Sequence, residues 1–161
     1  MDIEVLMNDL FYMAMALEEA RKAARMDEVP VGAVLVDGAG SILARTHNQL
    51  ISLCDPSAHA EMLAIRIGGE RVGNYRLTGA TLYSTIEPCI MCMGGIIHAR
   101  LSRVVFGARD PKWGAAGSLY DFASDARLNH TLEVVSGVYE NEATEIIRGF
   151  FRNKRSKKCQ T

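Results

Sequence analysis

Four residues in two short stretches carry the chemistry of this chain: His59 and Glu61 in His59-Ala60-Glu61, and Cys89 and Cys92 in Pro88-Cys89-Ile90-Met91-Cys92. One imidazole and two thiolates suit zinc, which takes nitrogen and sulfur ligands in a tetrahedron. Three protein ligands leave the fourth position for water, and zinc lowers the pKa of such water to about 7. Glu61, two residues from His59, is then the candidate proton shuttle. Cys89 and Cys92 lie three residues apart at a predicted helix start. They share a helix face there, and the helix N-terminus favours the anionic thiolate.

Two other uses of the cysteines compete with this one. A redox pair would leave His59 and Glu61 without a role. A structural zinc knot needs a fourth ligand; Cys54 is the candidate, but no second C-x-x-C or C-x-x-H pair accompanies it. The spacing also leaves a geometric question open. At about 3.6 residues per turn, residues two apart in a helix point roughly opposite ways. His59 and Glu61 share a target only if the site straddles the helix start or the side chains bend towards it.

The scaffold has ordinary proportions. The chain has 161 residues, 48% hydrophobic and 23% charged, with a net charge of −1. That fits one domain with a proper core, a single unit over 1–161 with a short basic tail from about 152. The charge is unevenly placed: Asp2, Glu4 and Asp9 mark the start, and Arg148, Arg152, Lys154, Arg155, Lys157 and Lys158 crowd the end. Four cysteines do not make a disulfide framework. No apolar run approaches the roughly 18 residues of a membrane helix, and no charged-then-apolar leader is present. A reducing, cytoplasmic setting without membrane attachment is the expectation.

The pattern predicts a helix over Asp9 to Met26 with an apolar face of Phe11, Ala14, Met15, Leu17 and Ala20. A buried strand over Val31 to Val36 and a return strand over Ile42 to Thr46 make a hairpin, with Asn48 at its far end. A second helix runs from Ala58 to Ile67, capped by Ser57 or Asp55 and ended by Gly68-Gly69. A strand over Ala80 to Ile86 leads into a helix from Cys89 to Ala99. Arg103 to Ala108 is a further strand, Arg109 to Ser118 a Gly-rich loop, and Glu133 to Ser136 a weak strand. A final helix spans Asn141 to Arg155 with Ile146, Ile147, Phe150 and Phe151 on its apolar side. This order reads as an α/β domain with helices covering a sheet.

The remaining candidates have bland alternatives. His47, His98 and His130 read as surface or hydrogen-bonded histidines. Met91 and Met93 read as core or pocket filler, and Cys159 as an unpaired thiol in the tail. Trp113 either stacks on a base or simply packs. The basic run after Phe150-Phe151 is either a solvated helix face or an RNA contact.

These residues resemble the bacterial tRNA-specific adenosine deaminases. The H-A-E and P-C-x-x-C motifs belong to zinc nucleobase deaminases as a whole. The stretches Val29-Pro30-Val31-Gly32-Ala33-Val34 and Gly107-Ala108 through Asp110 to Gly114-Ala115-Ala116-Gly117-Ser118 are similar to the tRNA enzymes in particular. Trp113 and Cys54 depart from the pattern. The resemblance implies a three-layer α/β/α cytidine-deaminase-like fold with a five-stranded mixed sheet, and a homodimer. It implies one zinc per chain on His59, Cys89 and Cys92, and Glu61 as the catalytic carboxylate. Substrate contacts are implied from Asn48, Ala60 and Asp110; Phe151, Arg152, Lys154 and Arg155 are candidate RNA contacts.

The expected activity is hydrolytic deamination of adenosine to inosine at the wobble position of a tRNA anticodon stem-loop. One rival is a deaminase of a free base or nucleotide: guanine, cytosine or deoxycytidylate. The loop from Ala108 to Ser118 and the basic tail argue against it. The other is a non-catalytic, zinc-stabilised RNA-binding module, which has no use for Glu61.

Overall fold

A computed structural model of the chain describes residues 2–158, and side chains within 2–156. Cys159 and the side chains of Lys157 and Lys158 lie outside the described residues. In order along the chain come α1 (Ile3–Arg25), β1 (Gly32–Val36), β2 (Ile42–His47), α2 (Ala60–Val72), β3 (Thr81–Ile86), α3 (Ile90–His98), β4 (Arg103–Ala108), β5 (Glu133–Ser136) and α4 (Glu140–Lys158).

The five strands form one mixed sheet in the order β2-β1-β3-β4-β5. β1 is antiparallel to both β2 and β3; β4 is parallel to both β3 and β5. Side chains alternate across a strand, so each inner strand feeds two cores. Ala33, Leu35, Leu82, Val104 and Phe106 face one side, packed with Ala60, Ala64, Met93 and Ile96 of α2 and α3. Val34, Val36, Tyr83 and Val105 face the other, packed with Met13 and Ala16 of α1. α4 joins that second layer through Ala143 and Ile146, beside Leu17 and Ala108. The result is the expected three-layer sandwich.

Several boundaries differ from the sequence reading. α1 begins at Ile3, not Asp9, because the Asp2 carboxylate accepts from the Glu4 amide and caps an extra turn and a half. Its buried residues are Asp9, Met13, Ala16, Leu17, Glu19, Ala20 and Ala23. Phe11 and Ala14, expected among them, are exposed. Asp9 is buried because Arg103 grips both its oxygens, at 2.6 and 2.8 Å, and the Tyr83 hydroxyl donates to it at 3.0 Å.

α2 does not stop at Gly68-Gly69. It runs on to Val72 and ends at Gly73, whose φ of 68° is left-handed. Gly68 sits inside the helix because a Cβ there would lie 2.3 Å from a methyl of Leu35. In α4, Phe150 is half-buried, but Phe151 is exposed and does not belong to the packed side.

Candidate active site

His59 and Cys89 are both helix N-caps with extended backbone, at φ −68°, ψ 149° and φ −75°, ψ 176°. The metal-type ligands therefore cluster where two helices begin, α2 and α3, with their partial positive charge turned towards the site. This also answers the spacing question. His59 stands outside the helical repeat and Glu61 inside its first turn, so the two need not point opposite ways.

The Nδ1 of His59 lies 3.7 Å from Cys89 Sγ and 3.5 Å from Cys92 Sγ. All three donor atoms fall within 4.8 Å of one another. Zn–S bonds of 2.3 Å and Zn–N bonds near 2.05 Å in a tetrahedron put sulfur and nitrogen about 3.6 Å apart. The donors fit zinc in type and separation. Cys54, the candidate fourth ligand, is exposed, and its thiol donates to the Ile51 carbonyl at 3.6 Å. Among the described residues, the group able to hold a metal contains His59, Cys89 and Cys92 and no other member. His98 is exposed, His130 bonds the Leu101 carbonyl at 2.6 Å, and His47 lies 3.3 Å from Glu19.

The electrostatics follow from crowding. Donation from the Cys92 thiol, aided by His59, pulls Cys89 down to about 4 against the effect of burial. The same bond, with burial, pushes Cys92 upward. The Cys89 sulfur, outweighing burial, raises His59, and the charge of Glu61 adds to this. A divalent cation would hold both cysteines as thiolates.

Glu61 is buried on the first turn of α2. Its Oε1 accepts from Ser84 Oγ at 3.4 Å, while Oε2 is buried without a hydrogen-bond partner among the described residues. Burial raises its pKa above the ordinary carboxylate value. A buried carboxylate oxygen of this kind beside a metal-ligand cluster can accept and return a proton.

Asn48 and Ala60 are joined next to His59 and Glu61. Asn48 is buried, and its Oδ1 accepts the Ala60 amide at 2.9 Å. The Ala60 carbonyl accepts from Thr46 Oγ at 2.7 Å. Both backbone groups of Ala60 are thus engaged, and the helix cap expected from Ser57 or Asp55 comes instead from Asn48. Asp55 accepts from Ser57 N and Oγ, at 2.8 and 2.7 Å, in the turn before the helix.

Asp110 lies on the loop after β4, where its Oδ1 accepts from the amides of Lys112 at 2.9 Å and Trp113 at 3.2 Å. Trp113 is 63% exposed and does not pack into the core. Met93 is core, and Met91 is largely outside it. Lys112, Ile147, Arg148, Phe151, Arg152 and Arg155 line a groove of about 580 Å³ between this loop and α4. Lys112 and Arg148 were not singled out in the sequence as groove residues, since nothing in their spacing joins a loop to a helix 36 residues further on.

Residues 7–108 match the family model of the cytidine and deoxycytidylate deaminase zinc-binding region. The chain belongs to that family of zinc-binding deaminases. It is 50% identical over 146 residues to a tRNA-specific adenosine deaminase of Haemophilus influenzae, covering 91% of this chain and 84% of the relative. The protein of the same description from Bacillus subtilis is 49% identical over 150 residues, covering 93% and 92%. A solved structure from work on A-to-I editing by tRNA:A34 deaminases at the wobble position matches with a TM-score of 0.81 and 47% identity. That match covers 84% of this chain and 98% of the other. The deaminase family accounts for the metal ligands and the buried carboxylate together. A redox pair or a structural knot leaves Glu61 unaccounted for.

Proposed function

We propose that this deaminase converts adenosine to inosine at the wobble position of a tRNA anticodon stem-loop. The observation that carries the proposal is identity near one half, along almost the whole chain, to tRNA-specific adenosine deaminases. The cationic groove beside the exposed Phe151 supports a polynucleotide substrate.

His59, Cys89 and Cys92 would hold zinc, which would supply the Lewis acidity that activates water. The reaction adds water across C6 and releases ammonia: a C6–O bond forms and the C6–N bond breaks. Glu61 accepts the first water proton on Oε2 and delivers it to ring N1, then takes the second from the new C6 hydroxyl and passes it to the departing amine, which leaves the C6 carbonyl. Ser84 holds the other oxygen of Glu61 in place. Asn48, its Oδ1 committed to Ala60, presents its amide NH₂ to the base, and Ala60 contributes by fixing Asn48. Asp110 shapes its own loop and faces the nucleotide from it. Extrusion costs little in an anticodon loop, whose bases are only partly stacked. Trp113, exposed on that loop, offers a stacking surface for a neighbouring base. Phe151, Arg152 and Arg155 meet the RNA backbone along α4, with Lys154 at the margin.

The same reading includes a homodimer and a cytoplasmic setting. Among the described residues no helix is long and apolar enough to cross a membrane. The test is incubation of zinc-loaded protein with tRNA, adenosine, cytidine and guanine. Inosine at the wobble position of tRNA is the expected product. Uridine or xanthine from the free compounds, with tRNA untouched, overturns the proposal in favour of a free-base or nucleoside enzyme.

A further inference from the structure

Glu87 precedes the metal ligand Cys89 by two residues and is buried, only 2% exposed. Among the described residues no hydrogen bond joins it to His59, Glu61, Cys89 or Cys92. Both its oxygens point at the Gly-rich loop instead. Oε1 accepts from the amides of Ala116 and Ser118, each at 3.0 Å. Oε2 accepts from the amide of Asp110 at 3.1 Å and from the Ser118 hydroxyl. A carboxylate has about four acceptor sites, and this one loop uses all of them.

The surrounding main chain repeats the pattern. Glu87 N donates to the Ala108 carbonyl at 2.8 Å, Ala115 N to the Pro88 carbonyl at 2.9 Å, and Cys89 pairs with Gly114. The loop has little regular structure of its own. Its start, at Asp110, and its end, at Ser118, converge on a single side chain rooted in the metal-binding segment. Lys112 and Trp113 project from between those anchor points, and Lys112 forms one wall of the cationic groove.

We infer that Glu87 is a positioning residue that sets the substrate loop, and with it the groove wall, in register with the metal ligand Cys89. RNA lying in the groove and a base at the metal are then spaced by one buried carboxylate. The loop-anchoring part stands on the geometry alone; the effect on RNA rests on the proposed tRNA activity.

Glu87→Gln tests this in the zinc-loaded full chain. Glutamine keeps the shape and one acceptor oxygen, but its NH₂ cannot accept from Asp110 N. Amide exchange at Asp110, Ala116 and Ser118 should quicken about tenfold, the worth of one net hydrogen bond. Affinity for an anticodon stem-loop should fall by a similar factor, while zinc stays at one per chain and the rate at saturating RNA stays within about threefold of the parent. Ser118→Ala, at an exposed position, should shift exchange and affinity the same way by less. The double variant should show less than the sum, as groups sharing one partner do.

Parental exchange and affinity in Glu87→Gln overturn the inference. So does loss of zinc, or a fall in the saturated rate at unchanged affinity, because Glu87 would then serve the ligands and not the loop. Should Glu87→Gln fail to fold, Ser118→Ala decides by the same exchange and affinity readings. Should the parent neither bind nor deaminate the stem-loop, the tRNA proposal falls with the RNA half of this one, and exchange still decides the anchoring.

Discussion

The side chain of Asn48 accepts the Ala60 amide through Oδ1 at 2.9 Å, which ties the end of β2 to the first residue of α2. One half of the Asn48 amide is therefore structural, and the NH₂ half is what remains for a ligand. The two halves separate by mutation. Asn48→Asp keeps an acceptor for Ala60 and loses the donor; Asn48→Ala loses both. Asn48→Asp should stay folded and zinc-loaded yet lose roughly 10–10²-fold in kcat/KM on tRNA, the cost of an unmade hydrogen bond at a buried site. Asn48→Ala should in addition melt at a lower temperature. Parental kcat/KM in Asn48→Asp would remove Asn48 from base recognition.

Glu61 contributes a buried oxygen with no hydrogen-bond partner among the described residues, so its removal should leave the metal ligands undisturbed. Glu61→Ala should bind one zinc per chain and lose about 10²–10⁴-fold in turnover, the range of a single general acid–base group. Turnover within tenfold of the parent would place proton transfer on another residue.

The metal site makes a stoichiometric prediction. Elemental analysis should find one zinc per chain in the parent and in Cys54→Ser, since the Cys54 thiol bonds Ile51 and stands apart from the ligand group. Cys89→Ala combined with Cys92→Ala should hold none. Stoichiometric zinc in that double variant, or its loss in Cys54→Ser, would mean a different ligand set.

The metal triad was legible in the sequence because ligand type and short spacing are local properties. Most strands and helices were legible because valine-rich runs and helical stripes are local as well; their stacking in three layers came from the family resemblance. The orientation of Glu61 was not legible, since it depends on His59 leaving the helical repeat as an N-cap, a backbone fact that spacing alone leaves open. Buried carboxylates were the systematic omission. Asp9 and Arg103 meet across 94 residues, and Glu28 caps the turn at Ile51 and Ser52 from more than 20 residues away. Glu87 has no role legible in the sequence, because its partners are 23 to 31 residues downstream. A lone acidic residue reads as surface until the fold brings its donors to it.

Glu19 is another of these buried carboxylates, and it predicts a pH dependence of stability. Burial alone would raise its pKa. Hydrogen bonds from Lys22 and His47 and the charges of Lys22 and Arg45 outweigh that, so it titrates below its ordinary 4.5. The lowered folded value means that the unfolded chain takes up the proton first. The contribution is thus present above about pH 4.5 and drains away as pH falls through the folded value. Glu19→Gln should be about 1–3 kcal/mol less stable near pH 7, by the measure of hydrogen bonds to a charged group. In urea unfolding, the gap to the parent should narrow steadily from pH 5 to pH 3. A constant gap across that range would show that Glu19 matters for packing and not for charge.

The basic end of α4 does not contribute uniformly. Lys154 donates to Asp27 at 2.6 Å and lies over the Phe150 ring at 5.4 Å, so its charge already has local partners. Arg152 and Arg155 line the groove with Lys112 and Arg148, beside the exposed Phe151. Phosphate contacts release counterions, so each one steepens the fall of affinity with salt, by roughly 0.7–0.9 in the logarithmic slope. Changing Arg152 and Arg155 together to glutamine should weaken tRNA binding and flatten that slope by roughly 1.4–1.8, with zinc content unchanged. Lys154→Gln should move the slope far less and should instead lower stability slightly, through the lost tie to Asp27. Only charges are changed, because Phe150 is half-buried and its removal would mix folding with binding. Equal slopes for the Arg152/Arg155 variant and the parent would make this helix end a solvated surface. The phosphate contacts would then fall to Lys112 and the loop that Glu87 holds.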